Sequence, residues 1–209
     1  MLEPVMQFRC NAKVAGATPG LPDLLLIERA RGADMRAIEA LMRRYSQRLF
    51  RVARSVLPDD AAAEAAVQDA YRVAFGDLRR YEPAGKFAAW LTRLTLEQAQ
   101  GQARRAPAWP APAPPDRQPL ELAIDSLPGV FRTVFVLRLV EGISGTETAA
   151  ALGLHGTTVR TRLYRAHRRL PAGTYLGAAR AVFELDSARA ERIVQTALAR
   201  LGERGARLP

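Results

Sequence analysis

Apolar residues recur at helical spacing through Ile38, Leu41, Met42, Tyr45, Leu49, Val52 and Val56, and Pro58 then ends the run. This spacing predicts an amphipathic helix that buries one face. A second stripe of Val67, Ala70, Tyr71, Ala74, Phe75 and Leu78 predicts a partner helix, with Asp59 or Asp60 suited to cap its start. After a turn at residues 81–85 (YEPAG), Phe87, Trp90, Leu91 and Leu94 mark a third helix that fades towards Arg104 and Arg105. Trp90 lies on the apolar stripe, which assigns it to the core rather than to an exposed stacking platform. No useful stretch alternates with period two, so the expected fold is all-α.

The stretch APAWPAPAPPDRQP at 106–119 interrupts this pattern, because its prolines cannot continue a helix and favour polyproline geometry. It is expected to be a semi-rigid spacer between two small, separable helical domains, 24–105 and 120–172. In the second, Leu122, Ile124, Leu127, Val130, Phe131, Val134, Phe135, Leu137 and Leu139 supply apolar helix faces. They lead to ISGTETAAALGLHGTTVRTRLYRAHRRL at 143–170, which reads as two short helices joined by a tight turn. Val159, Leu163, Ala166 and Leu170 fall on one stripe, and Thr161, Tyr164, Arg165 and Arg168 fall opposite. Ala149 and Leu152 are spaced to face the buried stripe, Gly153 permits the turn, and Thr157 or Thr158 can cap the second helix. This is the pattern of a helix-turn-helix whose basic side reads duplex DNA.

Two segments flank these domains. Residues 1–23 are expected to form a poorly ordered arm without the basic and apolar regions of a secretory signal. The extension at 173–209 runs through Phe183 and Leu185 to a helix carrying Ile193, Val194, Ala197, Leu198 and Leu201, ended by Gly202. Its apolar face needs a partner, and the chain's own domains are the nearest surfaces.

Charge sharpens the functional picture. Thirty-one Lys and Arg against 21 Asp and Glu give a net charge of +10, which favours polyanions, nucleic acid first among them. No apolar run is long enough to insert into a membrane. Cys10 is the sole cysteine, so no intramolecular disulfide or cysteine zinc cluster can form, and a reducing, cytoplasmic setting is expected. His155 and His167 fit no ligand spacing; no metal and no cofactor is expected. Neither clustered His and carboxylates, nor a phosphate loop, nor a nucleophile motif argues for an enzyme.

Two separated patterns together resemble the extracytoplasmic-function (ECF) RNA polymerase sigma factors of the sigma-70 family. The segment from LIERARGADM to AAWLTRL, within 24–105, is similar to that family's core-binding and minus-ten domain. IDSLPGVFRTVFVLRLVEGISGTETAAALGLHGTTVRTRLYRAHRRL is similar to its minus-thirty-five domain. The resemblance implies that Glu64, Gln68 and Asp69 contact core RNA polymerase, although Ala65 stands where the family usually has an acidic residue. It implies that the loop at 81–86 captures a flipped promoter base, with Tyr81, Lys86 and Arg93 as candidates. Glu97 and Gly101 replace the family's frequent Asn and Asp, and Thr148 replaces an apolar residue, its hydroxyl able to bond its own helix. The minus-thirty-five contacts would be Thr157, Thr158, Arg160, Thr161, Arg162, Tyr164, Arg165 and Arg168. The implied partners are core RNA polymerase and promoter DNA, with room for an anti-sigma factor. Two alternatives stay open: a sigma-like protein that no longer melts promoters, and an ordinary helix-turn-helix regulator.

Overall fold

The computed structural model describes residues 21–82, 86–105, 119–170 and 182–205, and among them there is no strand. Helix α1 (Asp23–Arg31) leads into α2 (Met35–Arg54), whose first turn is capped by the Asp34 carboxylate accepting from the amides of Arg36 and Ala37. Helix α3 (Asp60–Gly76) starts at Asp59, which accepts from the Ala62 amide, so Asp59 is the cap of the two carboxylates suited to it. A 3-10 turn at Leu78–Arg80 precedes α4 (Phe87–Ala103). Then come α5 (Pro119–Asp125) and α6 (Gly129–Phe135), a one-turn π-helical widening at Val136–Val140, and α7 (Gly145–Leu152). Helices α8 (Gly156–Arg169) and α9 (Ser187–Gly205) complete the described chain. Pro119 opens α5 instead of closing the linker, as a proline can at a first helical position, where its missing N–H is no loss. Helix α9 runs through Gly202 to Gly205, three residues past the expected end. The predicted arm lies almost wholly outside the described residues, and so does the linker apart from Pro119.

Helices α2, α3 and α4 pack on one another, α1 lies on α2, and α9 lies across α2 and α3. In the second half α8 packs on α6 and α7, and α7 also touches α4. One apolar core runs through Leu41, Leu49, Val67, Tyr71 and Leu91, continues through Ile124, Leu127 and Phe135 to Ala166, and includes Ile193, Val194 and Ala197 of α9. The two halves, expected to be small helical domains joined by a spacer, share this core. Proline density at 106–119 reports where a helix must stop, and says nothing about whether the helices on either side pack together.

Polar bonds join the halves where the core alone could not set the register. The Arg54 side chain is fully buried at the end of α2, and its guanidinium bonds Asp60 Oδ1 at 2.8 Å, the Leu57 carbonyl at 2.5 Å and Asp125 Oδ2 of α5 at 2.9 Å. It also lies 4.4 Å from the centre of the Phe183 ring. A buried charge is tolerable only when satisfied in this way. Arg132 of α6 donates from Nε to the Ser55 carbonyl at 2.9 Å, and the Thr133 hydroxyl donates to the same oxygen at 3.1 Å. Burial lowers the Arg132 pKa to about 10, so it still carries its charge at neutral pH.

Candidate nucleic-acid interface

Helix α7 begins with a full capping box: the Ser144 hydroxyl accepts from the Glu147 amide, and the Glu147 carboxylate accepts from the Ser144 amide. It ends at Gly153, whose φ of 62° is the left-handed conformation that glycine enters without a Cβ clash. The Leu154 amide donates to the Ala149 carbonyl at 2.9 Å and closes the turn. Helix α8 then begins at Gly156 behind His155, with no side-chain cap. Thr157 and Thr158 sit inside its first turn, so neither is the cap that the sequence suggested.

The two faces of α8 fall where the wheel puts them. Val159, Ala166 and Leu170 are buried and Leu163 is half-buried, while Arg160, Thr161, Tyr164, Arg165 and Arg168 are exposed. Tyr164 keeps 62% of its surface in solvent, a large aromatic left uncovered on a soluble face. Among the described residues Arg160, Arg162, Arg165 and Arg168 form no ion pair, so their guanidinium groups are uncommitted. Val130 and Phe131 of α6 join Thr157, Thr158, Thr161, Arg162 and Arg165 in lining a shallow groove along this face. The Arg169 guanidinium lies 5.4 Å from the centre of the Phe131 ring. An exposed helix of this length with uncommitted cations along one side can enter a major groove and neutralise phosphates at its edges.

The second set of candidates surrounds the start of α4. Tyr81 is only 4% exposed, its ring packed edge-on against Phe87 at 5.1 Å and tilted against Trp90 at 5.3 Å. It is core rather than a surface presented to a base, and Trp90 shares that cluster as its place on the stripe predicted. Lys86 is exposed and donates from Nζ to Glu147 Oε1 of α7 at 2.8 Å. That bond, followed by those to Ser144, lowers the Glu147 pKa to about 2. Arg93 and Glu97 face each other on α4 at 3.7 Å, so the carboxylate that would repel a phosphate is spent on a neighbouring cation. Pro83, Ala84 and Gly85 of the turn lie outside the described residues.

The third set lies on α3, under α9. Glu64 is buried, and its two oxygens each accept a 2.8 Å bond from Arg192 of α9. Gln68 is buried beside it. Asp69 accepts from Gln102 at 3.4 Å and lies 3.8 Å from Arg200 of α9. The sequence did not place these arginines here. The available signal was a set of carboxylates, Asp60, Glu64 and Asp69, on one amphipathic helix and a set of arginines, Arg189, Arg192 and Arg200, on another.

Comparison with known proteins accounts for both halves at once. Residues 41–106 match the Sigma-70 region 2 family and residues 117–170 match Sigma-70 region 4, in that order along one chain. The chain is an ECF sigma-70 family factor. It is 31% identical over 159 residues to the ECF RNA polymerase sigma factor SigE of Mycolicibacterium smegmatis, covering 66% of this chain but only 62% of that protein. It is 27% identical over 174 residues to the ECF RNA polymerase sigma-E factor of Escherichia coli, covering 70% of this chain and 91% of that one. Among solved structures it resembles CnrH, determined in complex with the cytosolic domain of CnrY, with a TM-score of 0.56 and 28% identity over 75% of this chain and 95% of that one. In this sigma factor the region 2 match begins within α2, and both regions end before α9. Helix α9 is thus an addition to the matched regions, seated on α3. Among its described residues no helix is long and apolar enough to cross a membrane.

Proposed function

We propose that this protein is a transcription initiation factor that binds core RNA polymerase, carries it to a promoter and helps open the minus-ten region, while the polymerase performs all of the chemistry. The observation that carries this reading is the uncommitted basic face of α8, in a chain where sigma-70 regions 2 and 4 occur in their functional order. In this reading Arg160, Arg162, Arg165 and Arg168, with Thr157, Thr158, Thr161 and Tyr164, contact the minus-thirty-five element. Glu64, Gln68 and Asp69 belong to the polymerase contact, and Lys86 and Arg93 to the minus-ten strand. The work is cytoplasmic, where polymerase and chromosome meet. CnrH was solved in complex with the cytosolic domain of CnrY, and in this reading an anti-sigma factor is likewise a further partner of this chain.

Burial of Tyr81 favours a narrower second reading, in which the factor brings polymerase to the promoter but melts it poorly. Both are tested by mixing purified protein with core polymerase and genomic DNA and sequencing the run-off transcripts. Discrete start sites that share upstream motifs are expected. Transcription from a pre-melted template alone would select the narrower reading, and no factor-dependent start site on either template would refute both.

A further inference from the structure

We propose that α9 is an intramolecular competitor of core RNA polymerase, seated on the acidic face of α3 that would otherwise take a basic, amphipathic helix from a partner. The inference rests on the assignment of Glu64, Gln68 and Asp69 to polymerase binding made above, and goes beyond it by naming what occupies that face in the free protein.

Helix α9 runs parallel to α3, and its arginines meet the carboxylates of α3 in order. Arg189 bonds Asp60 and lies 3.7 Å from Glu64 Oε1, Arg192 bonds both oxygens of Glu64, and Arg200 approaches Asp69. Between the arginines, Ile193, Val194 and Ala197 are buried, with Leu198 and Leu201 packed against the same core. On its other edge Glu191 accepts from Arg43 of α2 at 2.6 and 3.0 Å. Complementarity is therefore both electrostatic and apolar over the length of the contact.

Occupation here excludes a second ligand. Both Glu64 oxygens are engaged by one guanidinium, and Glu64 retains 7% of its surface in solvent, as does Gln68. A polymerase helix cannot reach these side chains while α9 is in place. The seat is also reversible in kind. The side chains of Arg192 and Arg43 are about half exposed, and ion pairs so placed contribute little individually and weaken with salt. Displacement of α9 by polymerase exchanges one basic, amphipathic helix for another on the same carboxylates, so the two binding events are coupled with negative sign.

The test uses the full chain with Cys10→Ser, Arg43→Cys and Glu191→Cys, which puts the only two thiols on α2 and α9, outside the proposed polymerase contacts. One sample is joined by a short bismaleimide and the other is capped with N-ethylmaleimide at both positions. Binding of fluorescent core polymerase is measured for each, and in parallel for the full chain carrying Arg192→Glu. The tethered form should bind on the order of tenfold more weakly than the capped form, and Arg192→Glu should bind on the order of fivefold more tightly than the unmodified chain. Equal binding by tethered and capped protein overturns the competition while leaving the polymerase reading intact. Absence of binding by all forms, Arg192→Glu included and folded by circular dichroism, refutes the polymerase reading and the competition with it.

Discussion

Thr148 occupies a fully buried position in α7, and its Oγ1 makes no hydrogen bond with another described residue. The sequence suggested that this hydroxyl would bond its own helix; instead it is a buried polar atom carrying a desolvation cost of about 1–3 kcal/mol. Thr148→Val keeps the shape and removes the oxygen, so it should stabilise the protein by about 1 kcal/mol and raise the thermal midpoint by about 2–4 °C in differential scanning fluorimetry. A lowered midpoint would mean that the hydroxyl has a partner in solution. Arg165 and Arg168 lie on the opposite, open side of the turn motif. Each Arg→Ala change there should weaken promoter binding in fluorescence anisotropy. A lost base contact costs about 1–3 kcal/mol at one sequence position, whereas a lost phosphate contact weakens all sequences alike and makes the salt slope shallower by about one unit. Unchanged binding in both variants would take α8 out of the groove.

Among the helices, α9 is held at one edge by a carboxylate whose titration reports its seat. The Arg43 guanidinium, then Gln195, lowers the Glu191 pKa from 4.5 to about 2. Because the folded value is depressed, the attraction is fully present above the ordinary carboxylate range and is lost as pH falls from there through about 2. A carboxyl-detected NMR titration of wild-type protein should place the Glu191 midpoint near 2, and Arg43→Ala should move it up towards 4.5. A midpoint near 4.5 in the wild type would mean that this edge of α9 is not docked in solution. The Lys86–Glu147 pair plays the corresponding part between α4 and α7, since Glu147 is depressed to about 2 by Lys86 and Ser144. Lys86 keeps 79% of its side chain exposed, so the link is screened by solvent and weakens with salt.

The molecule as a whole is stitched at Arg54. With one guanidinium shared among Asp60 of α3, Asp125 of α5 and the Leu57 carbonyl in the turn after α2, and with apolar contacts continuous from Leu41 to Ala166, the halves should unfold together. Asp125→Ala removes one carboxylate from a fully buried cation and should cost about 3 kcal/mol, the lower end for breaking such a pair. Urea unfolding followed by circular dichroism should show one transition for wild type and variant, with a lower midpoint and similar slope in the variant. Two separate transitions in the wild type would restore the picture of independent halves joined only by a proline-rich spacer.

Local periodicity carried most of the element-level information. The stripes that define α2, α3, α4 and α8, the Asp59 cap and the glycine turn at Gly153 depend on neighbours within one or two turns, and such interactions are written in adjacent residues. The same reasoning named the exposed arginines of α8, because a surface is what remains when the apolar stripe is placed. It also foresaw that the apolar face of the last helix would lie on the chain's own domains. What it could not place was how one element packs on another, whether near or far in sequence. Tyr81 went to the core because Phe87 and Trp90 pack against it, and the buried Thr148 hydroxyl has no hydrogen-bond partner among the described residues. Glu64 looked like an exposed contact until Arg192, 128 positions later, covered it. Which carboxylate meets which guanidinium, and whether the two halves share one core, depend on the relative placement of whole helices, and a helical period holds no record of that.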